Sequence, residues 1–333
     1  MGWLKRTLYF VVFLAFIATF YSLTSIRRQN NVIKTPEVVE QTTKDVETRE
    51  EEVKKQTATP AIDRNTKTPP TKSSSSSSSK FRKIEGYMDV NSGEVLALDC
   101  GSCAFVGSSG HILNSAAGTE IDSHDCVFRM NGAIVRGFEK DVGRRTTVRI
   151  VNHNGGVVFN PRGRRSKYFE EEKSDHLVVW GPPQKTPILK PMLVDLVKHY
   201  PYLKAFTMTK EKIIALDKQF ERETGKDRFK SSSWLTTGWF AFDIVLKACR
   251  DNVVVYGLPP GDYCDSAEGA KTFIRYHYYE EGGSECSYYK GHTHHRFAAE
   301  KIIYARWAKT RGNVSFRFPS WNLTQIDTSQ VKF

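Results

Sequence analysis

The sequence predicts one α/β domain with a mostly parallel sheet and helices on both faces, from about residue 85 to residue 333. Short apolar runs alternate along it with longer amphipathic segments, and this alternation is typical of parallel α/β sheets. The apolar runs are nearly continuous, which favours strands that are covered on both sides. The predicted strands are 103–107, 126–131, 146–152, 176–181, 204–209 and 252–258, and the predicted helices are 188–200, 209–225 and 236–249.

A membrane anchor is predicted at residues 7–26, which form a run of twenty residues without a charge. At about 1.5 Å per residue, a helix of this length spans roughly 30 Å, which is one hydrocarbon thickness. The alternative is a cleaved signal peptide, but the bulky side chains of Tyr21 and Leu23 make a poor cleavage site. Residues 1–6 would then be a short cytosolic tail.

The segment that follows, residues 27–84, is predicted to be a disordered stem. No aromatic residue, glycine or cysteine occurs between residues 22 and 80, and seven consecutive serines occupy 73–79. Such a composition cannot bury enough apolar surface to offset the chain entropy lost on folding. The stem would therefore act as a spacer between the anchor and the folded domain at 85–333.

Cysteines and glycosylation sequons favour a lumenal position for the folded domain. Six cysteines, an even number, all lie in it, and two sequons begin at Asn313 and Asn322. Together with an N-terminal anchor, these features indicate a single-pass type II membrane protein whose domain forms disulfide bonds. The formal net charge of +12 then favours an anionic glycan or a nucleotide sugar as partner over nucleic acid.

Polar residues lie at two predicted strand ends and at one predicted helix start, where sheets of this class bind their ligands. Ser108 and Ser109 follow the first strand in a turn of small residues, and Asn131 ends the second strand. The Thr-Thr-Gly segment at 236–238 begins a helix, whose N-terminus favours anions. Each feature also has a structural interpretation, because serine and threonine commonly cap helices. The turn at 107–110 matches neither the dinucleotide-binding G-x-G-x-x-G motif nor the hydrolase G-x-S-x-G motif.

The CGSC segment at 100–103 has the C-x-x-C spacing of thioredoxin-type motifs, but it precedes a strand instead of opening a helix. A second C-x-x-C segment, which a zinc site of that type would need, is absent from the sequence. Structural disulfide bonds are therefore the predicted use of Cys100 and Cys103.

Three histidines, His292, His294 and His295, lie close together before a predicted helix in the segment GHTHHRFAAEKIIYARW. They could bind a metal, cap the helix, or include one catalytic base. A metal site is disfavoured because the chain has neither an H-E-x-x-H nor a D-x-D motif. The helix itself is predicted from an apolar stripe that ends before Gly312.

Four segments, taken in order, resemble the motifs of eukaryotic sialyltransferases, glycosyltransferase family 29. Residues 100–152 resemble the large sialylmotif, and residues 231–260 resemble the small sialylmotif. HYYE at 277–280 is similar to the third motif, and HRFAAE at 295–300 fits the very small motif, His-x4-Glu. Shorter segments, among them RMNGA, WGPP and YHYYE, resemble the N-acetylgalactosaminide α-2,6-sialyltransferase branch, in the subgroup that prefers sialylated acceptors.

This resemblance implies a Rossmann-like single domain, a variant of the type A glycosyltransferase fold, in a Golgi membrane protein with a lumenal catalytic domain. The implied reaction transfers sialic acid from CMP-sialic acid to the 6-hydroxyl of GalNAc, with inversion and without a metal or other cofactor. The acceptor would be Neu5Ac-α2,3-Gal-β1,3-GalNAc on O-glycans or gangliosides. Two alternatives are an enzyme of another linkage, such as α-2,3 to galactose, and a catalytically silent glycan-binding protein, which would need neither His277 nor His295.

The resemblance also assigns roles to individual residues. His295 matches the catalytic base, and His277 matches the contact to the leaving phosphate. The implied CMP-sialic acid contacts are Ser108, Ser109, Asn131, Asn152, Thr236, Thr237 and Gly238. Many members have asparagine where this chain has Ser108, so that contact could instead come from Ser109, a backbone amide or water. Glu300 is expected to steady a loop or helix start, because it lies too far round the helix to face His295.

A disulfide bond between Cys103 and Cys249 is implied in the same way, and the remaining cysteines would then pair as Cys100–Cys126 and Cys264–Cys286. The loop at 153–175 is expected to shape the acceptor site, and His292 and His294 are expected to be surface or capping groups.

Overall fold

Nine strands form one mixed sheet in the computed structural model, which describes residues 81–154, 169, 172–291, 294–329 and 331. They are β1 (Arg82–Asp89), β2 (Val95–Leu98), β3 (Cys103–Val106), β4 (Cys126–Met130), β5 (Val148–Asn152), β6 (His176–Trp180), β7 (Lys204–Met208), β8 (Val253–Tyr256) and β9 (Val314–Arg317). Their order across the sheet is β2-β1-β7-β6-β5-β4-β3-β8-β9. Strands β3 to β9 all run parallel, whereas β1 pairs antiparallel with both β2 and β7.

Helices connect most of the parallel strands. They are α1 (Gly118–Ser123), α2 (Glu139–Val142), α3 (Thr186–His199), α4 (Lys210–Thr224), α5 (Thr237–Ala248), α6 (Ala267–Lys271), α7 (Glu285–Gly291) and α8 (Phe297–Arg311). Three short 3₁₀ turns lie at Gly110–Ile112, Pro183–Lys185 and Tyr263–Asp265. A single α/β domain with a mostly parallel sheet is therefore confirmed.

All six predicted strands and all the predicted helices are present, with ends that differ by one or two residues. The helix predicted after the histidine segment is α8, and Gly312 ends it in the left-handed conformation, with a φ of 70°. A residue without a Cβ adopts this conformation at little steric cost. The local signals therefore agreed with the tertiary structure for these six strands and for the predicted helices.

Strand β1 begins at Arg82, three residues before the predicted start of the domain at about residue 85. Within this strand Ile84 and Tyr87 are fully buried. Tyr87 also donates a hydrogen bond of 2.8 Å to the buried carboxylate of Asp243 in α5. The stem prediction overlooked this strand because its charged residues resemble those of the preceding segment.

Side chains of the parallel strands alternate between two apolar layers. In β3, Cys103 and Phe105 face the layer that α4, α5 and α8 cover, whereas Ala104 and Val106 face the opposite side. On that opposite side, α3 packs its leucines against β5 and β6, and the α1–α2 region packs against β3 and β4. Helices therefore cover both faces, which explains why the strands are apolar almost throughout.

Three disulfide bonds join Cys103 to Cys249, Cys100 to Cys126 and Cys264 to Cys286, as the resemblance and the remaining pairs implied. The first bond links the start of β3 to the end of α5. The two cysteines of CGSC thus bind different partners, which confirms a structural use and excludes a redox-active C-x-x-C pair.

The predicted cytosolic tail, anchor and nearly all of the stem lie outside the described residues, and so do His292 and most of the loop at 153–175. In the part of the chain that the structure describes, no helix has the length and apolar character needed to cross a membrane. The anchor at 7–26 stays a prediction.

Candidate active site

A cavity of about 500 Å³ opens at the carboxyl ends of the parallel strands, between β3, β4 and β5 on one side and α5 and α8 on the other. This is the edge of a parallel sheet where ligands are generally bound. All nine residues that the sequence singled out for the donor and the chemistry line it: Ser108, Ser109, Asn131, Asn152, Thr236, Thr237, Gly238, His277 and His295.

The turn after β3 reaches the cavity because Gly107 allows two strand ends to converge. A Cβ atom at Gly107 would lie 2.9 Å from the backbone oxygen of Tyr256, the last residue of β8, and 2.5 Å from that of Gly257, which follows it. Only glycine fits without a backbone shift. The adjacent Ser108 and Ser109 are thereby brought to the cavity wall.

A relay of hydrogen bonds orients the amide of Asn131. The indole Nε1–H of Trp180 donates to Thr237 Oγ1 at 3.2 Å, and Thr237 Oγ1 donates to Asn131 Oδ1 at 3.2 Å. The backbone N–H of Asn152 donates to the same Oδ1 atom at 3.3 Å. Asn131 itself has a φ of 46°, a conformation that asparagine tolerates better than most residues. The ends of β4, β5 and β6 and the start of α5 are thus held in one arrangement.

The main chain from Asn131 to Ala133 is held in place by the fully buried side chain of Arg149. Arg149 Nη1 donates to the carbonyl oxygens of Asn131 and Ala133, both at 3.0 Å. Its Nη2 lies 3.3 Å from the carboxylate of Glu172, which also accepts from the backbone N–H of Val135 at 2.6 Å. The carboxylate of Glu172 and the two carbonyl groups offset the desolvation cost of burying the charged guanidinium group.

Glu300 anchors the N-terminus of α5, which is the role expected for it in steadying a helix start. Its carboxylate accepts from the backbone N–H of Thr236 at 2.9 Å, from the Thr236 hydroxyl, and from the Tyr304 hydroxyl at 2.8 Å. Thr236 Oγ1 in turn accepts from the N–H of Trp239 and caps the helix. Burial raises the pKa of Glu300 to about 7, although these donors and Lys301 act in the opposite direction.

A second buried carboxylate, Glu285, engages the turn after β3. The Ser109 hydroxyl donates to Glu285, and Lys301 Nζ lies 3.6 Å from the same carboxylate. Burial alone would raise the pKa of Glu285, but its contacts with His111, Lys301 and Ser109 hold that pKa below its ordinary value. Burial also lowers the pKa of Lys301 to about 8, against the attraction of Glu285. The hydroxyl group of Ser109 therefore donates its hydrogen bond to a side chain of the protein and not to a ligand in the cavity.

His295 forms part of a short parallel bridge with Trp234 at the cavity rim. Its Nδ1 atom lies 2.9 Å from the carbonyl oxygen of Trp234, and the N–H of Trp234 donates to the carbonyl of His294 at 2.9 Å. A carbonyl can only accept, so Nδ1 carries a proton, and the neutral ring has its lone pair on Nε2. This is the tautomer that a base acting through Nε2 requires.

His277 is held by a carboxylate and by aromatic rings. Its Nδ1 atom lies 2.7 Å from Glu280 Oε2, and its ring stacks on Tyr279 with centroids 5.1 Å apart and an interplanar angle of 9°. The ring of Tyr276 also contacts the imidazole of His277, and their centroids lie 4.4 Å apart. Since the carboxylate accepts from Nδ1, a protonated ring presents Nε2–H as a second donor.

The remaining histidines do not complete a ligand set in the described residues. His294 is exposed, as expected of a surface group, and His292 lies outside those residues. Among the described side chains, no group of three or more histidine, cysteine, aspartate or glutamate residues is arranged to hold a metal ion.

Several cavity residues were not found from the sequence. They are Trp180, Trp234, Tyr276, Glu285, Tyr289 and Lys301. Lys301 directly follows the very small motif, which was a usable hint, but the aromatic residues carry no local pattern that separates them from core residues.

A family model described as glycosyltransferase family 29 (sialyltransferase) matches residues 40–311 of this chain. The human alpha-N-acetylgalactosaminide alpha-2,6-sialyltransferase 3 is 38% identical over 256 residues, which cover 73% of this chain and 81% of that protein. The human alpha-N-acetyl-neuraminyl-2,3-beta-galactosyl-1,3-N-acetyl-galactosaminide alpha-2,6-sialyltransferase is 40% identical over 250 residues, which cover 72% and 81%. A crystal structure of a mammalian sialyltransferase matches 66% of this chain and 69% of its own, with 19% identity and a TM-score of 0.40.

Proposed function

The chain belongs to glycosyltransferase family 29, the sialyltransferases, and from this premise we propose that it transfers sialic acid from CMP-sialic acid to the 6-hydroxyl of GalNAc. The proposed acceptor is Neu5Ac-α2,3-Gal-β1,3-GalNAc on an O-glycan or a ganglioside. Support for the linkage comes from relatives that are named α-2,6-sialyltransferases, and support for the acceptor comes from the relative whose name states this trisaccharide.

The observation that carries the proposal is the pair of histidines in one cavity, each with an Nδ1 partner that fixes its ring. In the proposed reaction, the Nε2 lone pair of His295 takes the proton from the GalNAc 6-hydroxyl. The oxygen attacks C2 of the donor sialic acid from the face opposite the phosphate. A sugar hydroxyl is a weak nucleophile, so removal of its proton in the transition state accelerates attack.

The bond from C2 to the phosphate oxygen breaks as the new bond forms, and CMP leaves with the electron pair. His277, when protonated, donates from Nε2 to this phosphate, while Glu280 accepts from its Nδ1 atom. A donor that is fixed before the reaction stabilises the developing negative charge without reorganisation. The N-terminus of α5 lines the same cavity and adds the positive end of its dipole. We propose no metal or other cofactor.

For the donor we propose contacts from Asn131, Asn152 and the Thr236–Gly238 turn, all at the carboxyl edge of the sheet. At the turn after β3, Ser108 or a backbone amide is the better candidate, because the Ser109 hydroxyl already donates to Glu285. The fold we propose is the Rossmann-like variant of the type A glycosyltransferase fold. The chain would be a single-pass type II protein of the Golgi membrane, with its anchor at 7–26 and the catalytic domain in the lumen.

The experiment that tests this function uses the full chain in detergent with CMP-sialic acid and excess EDTA. CMP release is measured with the sialylated trisaccharide, with the same acceptor lacking sialic acid, and with no acceptor. Release with the sialylated acceptor alone, and an α-2,6 linkage to GalNAc in the product, is the expected result. Release with the unsialylated acceptor, or an α-2,3 linkage to galactose, would contradict the proposed acceptor or linkage. Absence of release with every acceptor would favour a glycan-binding protein, unless added manganese restored activity and contradicted metal independence.

A further inference from the structure

Trp234 has an exposed indole although it lines the cavity. Its exposed fraction is 54%, whereas Trp239, five residues further on, is fully buried. Leu235, its neighbour, is also buried, so the chain turns the larger apolar side chain outward. A large aromatic group that is exposed at the mouth of a cavity is an informative exception to the burial of apolar residues.

The backbone of Trp234 is attached to the candidate base at two points. Its N–H donates to the carbonyl of His294, and its carbonyl accepts from His295 Nδ1, both at 2.9 Å. Two residues later, Thr236 is anchored to Glu300. The main chain on either side of the indole is therefore fixed, which places the Trp234 side chain next to His295 at the rim of the cavity.

We propose that the indole of Trp234 is the platform on which the acceptor GalNAc ring lies during transfer, an inference that rests on the proposed function. In GalNAc the 4-hydroxyl is axial, so the hydrogens on C3, C4 and C5 form an apolar patch on the opposite face. Packing this patch on a flat aromatic surface removes apolar area from water on both partners. The reacting hydroxyl is on C6, which is attached to C5, and it would lie at the edge of the stacked ring.

The contact with His295 assigns Trp234 to the acceptor side of the cavity. Asn131 and Asn152, at the carboxyl ends of β4 and β5, suit the hydroxyl and phosphate groups of a nucleotide sugar. His295, to which Trp234 is bonded, must lie beside the acceptor hydroxyl if it is the base. Stacking would thus orient the sugar while His295 removes its proton.

The test compares the full-length wild type with Trp234→Ala, Trp234→Phe and the control Phe229→Ala. Phe229 belongs to the same loop and is 70% exposed, but it does not line the cavity. We expect Trp234→Ala to raise the KM for the acceptor roughly tenfold or more, as loss of an aromatic contact does. The KM for CMP-sialic acid and the melting temperature should stay unchanged. Trp234→Phe should recover most of the acceptor affinity, and Phe229→Ala should behave as wild type.

Saturation-transfer NMR with the acceptor supplies a readout that does not depend on turnover. In the wild type, saturation should be strongest at H3, H4 and H5 of GalNAc, and Trp234→Ala should lose this pattern. An unchanged acceptor KM, or equal rises in the donor and acceptor KM values, would overturn the platform. Transfer by the wild type to a hydroxyl other than the GalNAc 6-hydroxyl would refute the proposed function, while the NMR pattern would still accept or reject the platform.

Discussion

His295 Nδ1 donates a hydrogen bond of 2.9 Å to the carbonyl oxygen of Trp234, a residue 61 positions earlier in the chain. The bond joins the very small motif to the segment that precedes α5. It fixes both the orientation and the tautomer of the imidazole. The candidate base and the start of the helix that lines the cavity are therefore positioned by the same stretch of backbone.

Replacement of His295 should abolish transfer and leave CMP binding nearly normal, because a base acts on the acceptor. We expect His295→Ala and His295→Asn each to lower kcat by about 10²- to 10⁴-fold, the usual contribution of general base catalysis. Steady-state CMP release measures the first effect, and calorimetric titration with CMP measures the second.

The His295→Asn variant is the matched control for the structural role of His295, which is its hydrogen bond to the Trp234 carbonyl. Its amide N–H can still donate to the Trp234 carbonyl, but it cannot accept a proton at neutral pH. Near wild-type transfer by either variant would show that His295 is not the base. A large loss in His295→Ala alone would assign the residue a structural role.

His277→Ala should slow turnover by about 10²-fold, the effect of losing one pre-organised donor to a developing anion. Acceptor KM should change little, because the proposed contact is to the phosphate. Glu280→Gln should cause a smaller loss, since an amide can still hold the Nδ1–H of His277 through its oxygen. Initial rates over a range of acceptor concentrations give kcat and the acceptor KM for each variant. A rise in acceptor KM with unchanged kcat would contradict the proposed contact between His277 and the phosphate.

The buried carboxylate of Glu300 should make folding stability depend on pH. Its pKa in the folded state is about 7, above the ordinary value of 4.5. The folded state therefore binds this proton more readily than the unfolded state. The resulting stabilisation is complete below pH 4.5 and is lost as the pH rises through 7. The expected loss over this range is about 3 kcal/mol in the free energy of unfolding.

Comparison with Glu300→Gln isolates this effect from the histidines. Burial lowers the pKa of His124 and His176, which makes their contribution to stability increase with pH instead. The difference in unfolding free energy between wild type and variant should therefore fall with rising pH between 4.5 and 7, measured by urea unfolding at several pH values. A difference that is constant across this range would show that Glu300 is already ionised at low pH.

The parts of the fold that the sequence predicted are those with a strong local signal. The six buried parallel strands from β3 to β8 were identifiable from continuous apolar runs, whereas β1, β2 and β9 were not predicted. In β1, Gly86 has a φ of 86° and charged residues interrupt the alternation, so pairing with β2 and β7 determines its structure. Strand β9 has only four residues and depends on its pairing with β8.

The candidate site was predictable to the level of residue positions but not of contacts. Motif resemblance identified Ser109, yet its hydroxyl donates to Glu285, 176 residues later in the chain. No local pattern could indicate a pairing of that range. The same applies to Trp234, whose exposure is decided by how the chain crosses the cavity rim. Resemblance finds a position, but only the tertiary structure shows which atoms remain for a ligand.

The two glycosylation sequons should differ in use if the domain is lumenal. Asn322 is exposed in the segment after β9, and its Oδ1 accepts from the hydroxyl of Thr324 at 2.7 Å. Asn313, which directly precedes β9, donates from Nδ2 to the carbonyl of Asp251 at 2.6 Å, and its Oδ1 atom is buried. Glycosylation replaces one of the two hydrogens on that same nitrogen, so a glycan at Asn313 would crowd the close contact with Asp251.

We therefore expect one N-glycan, at Asn322. The matched variants remove each sequon through its hydroxyl residue and leave both asparagines in place, because Asn313 holds Asp251. Thr324→Ala should reduce the mass of the secreted or membrane-bound protein by one glycan, whereas Ser315→Ala, on the exposed face of β9, should leave the mass unchanged. Electrophoresis with and without peptide N-glycosidase measures both. A mass loss in Ser315→Ala would mean that Asn313 is modified before β9 pairs with β8, and that the Asp251 contact forms too late to protect it.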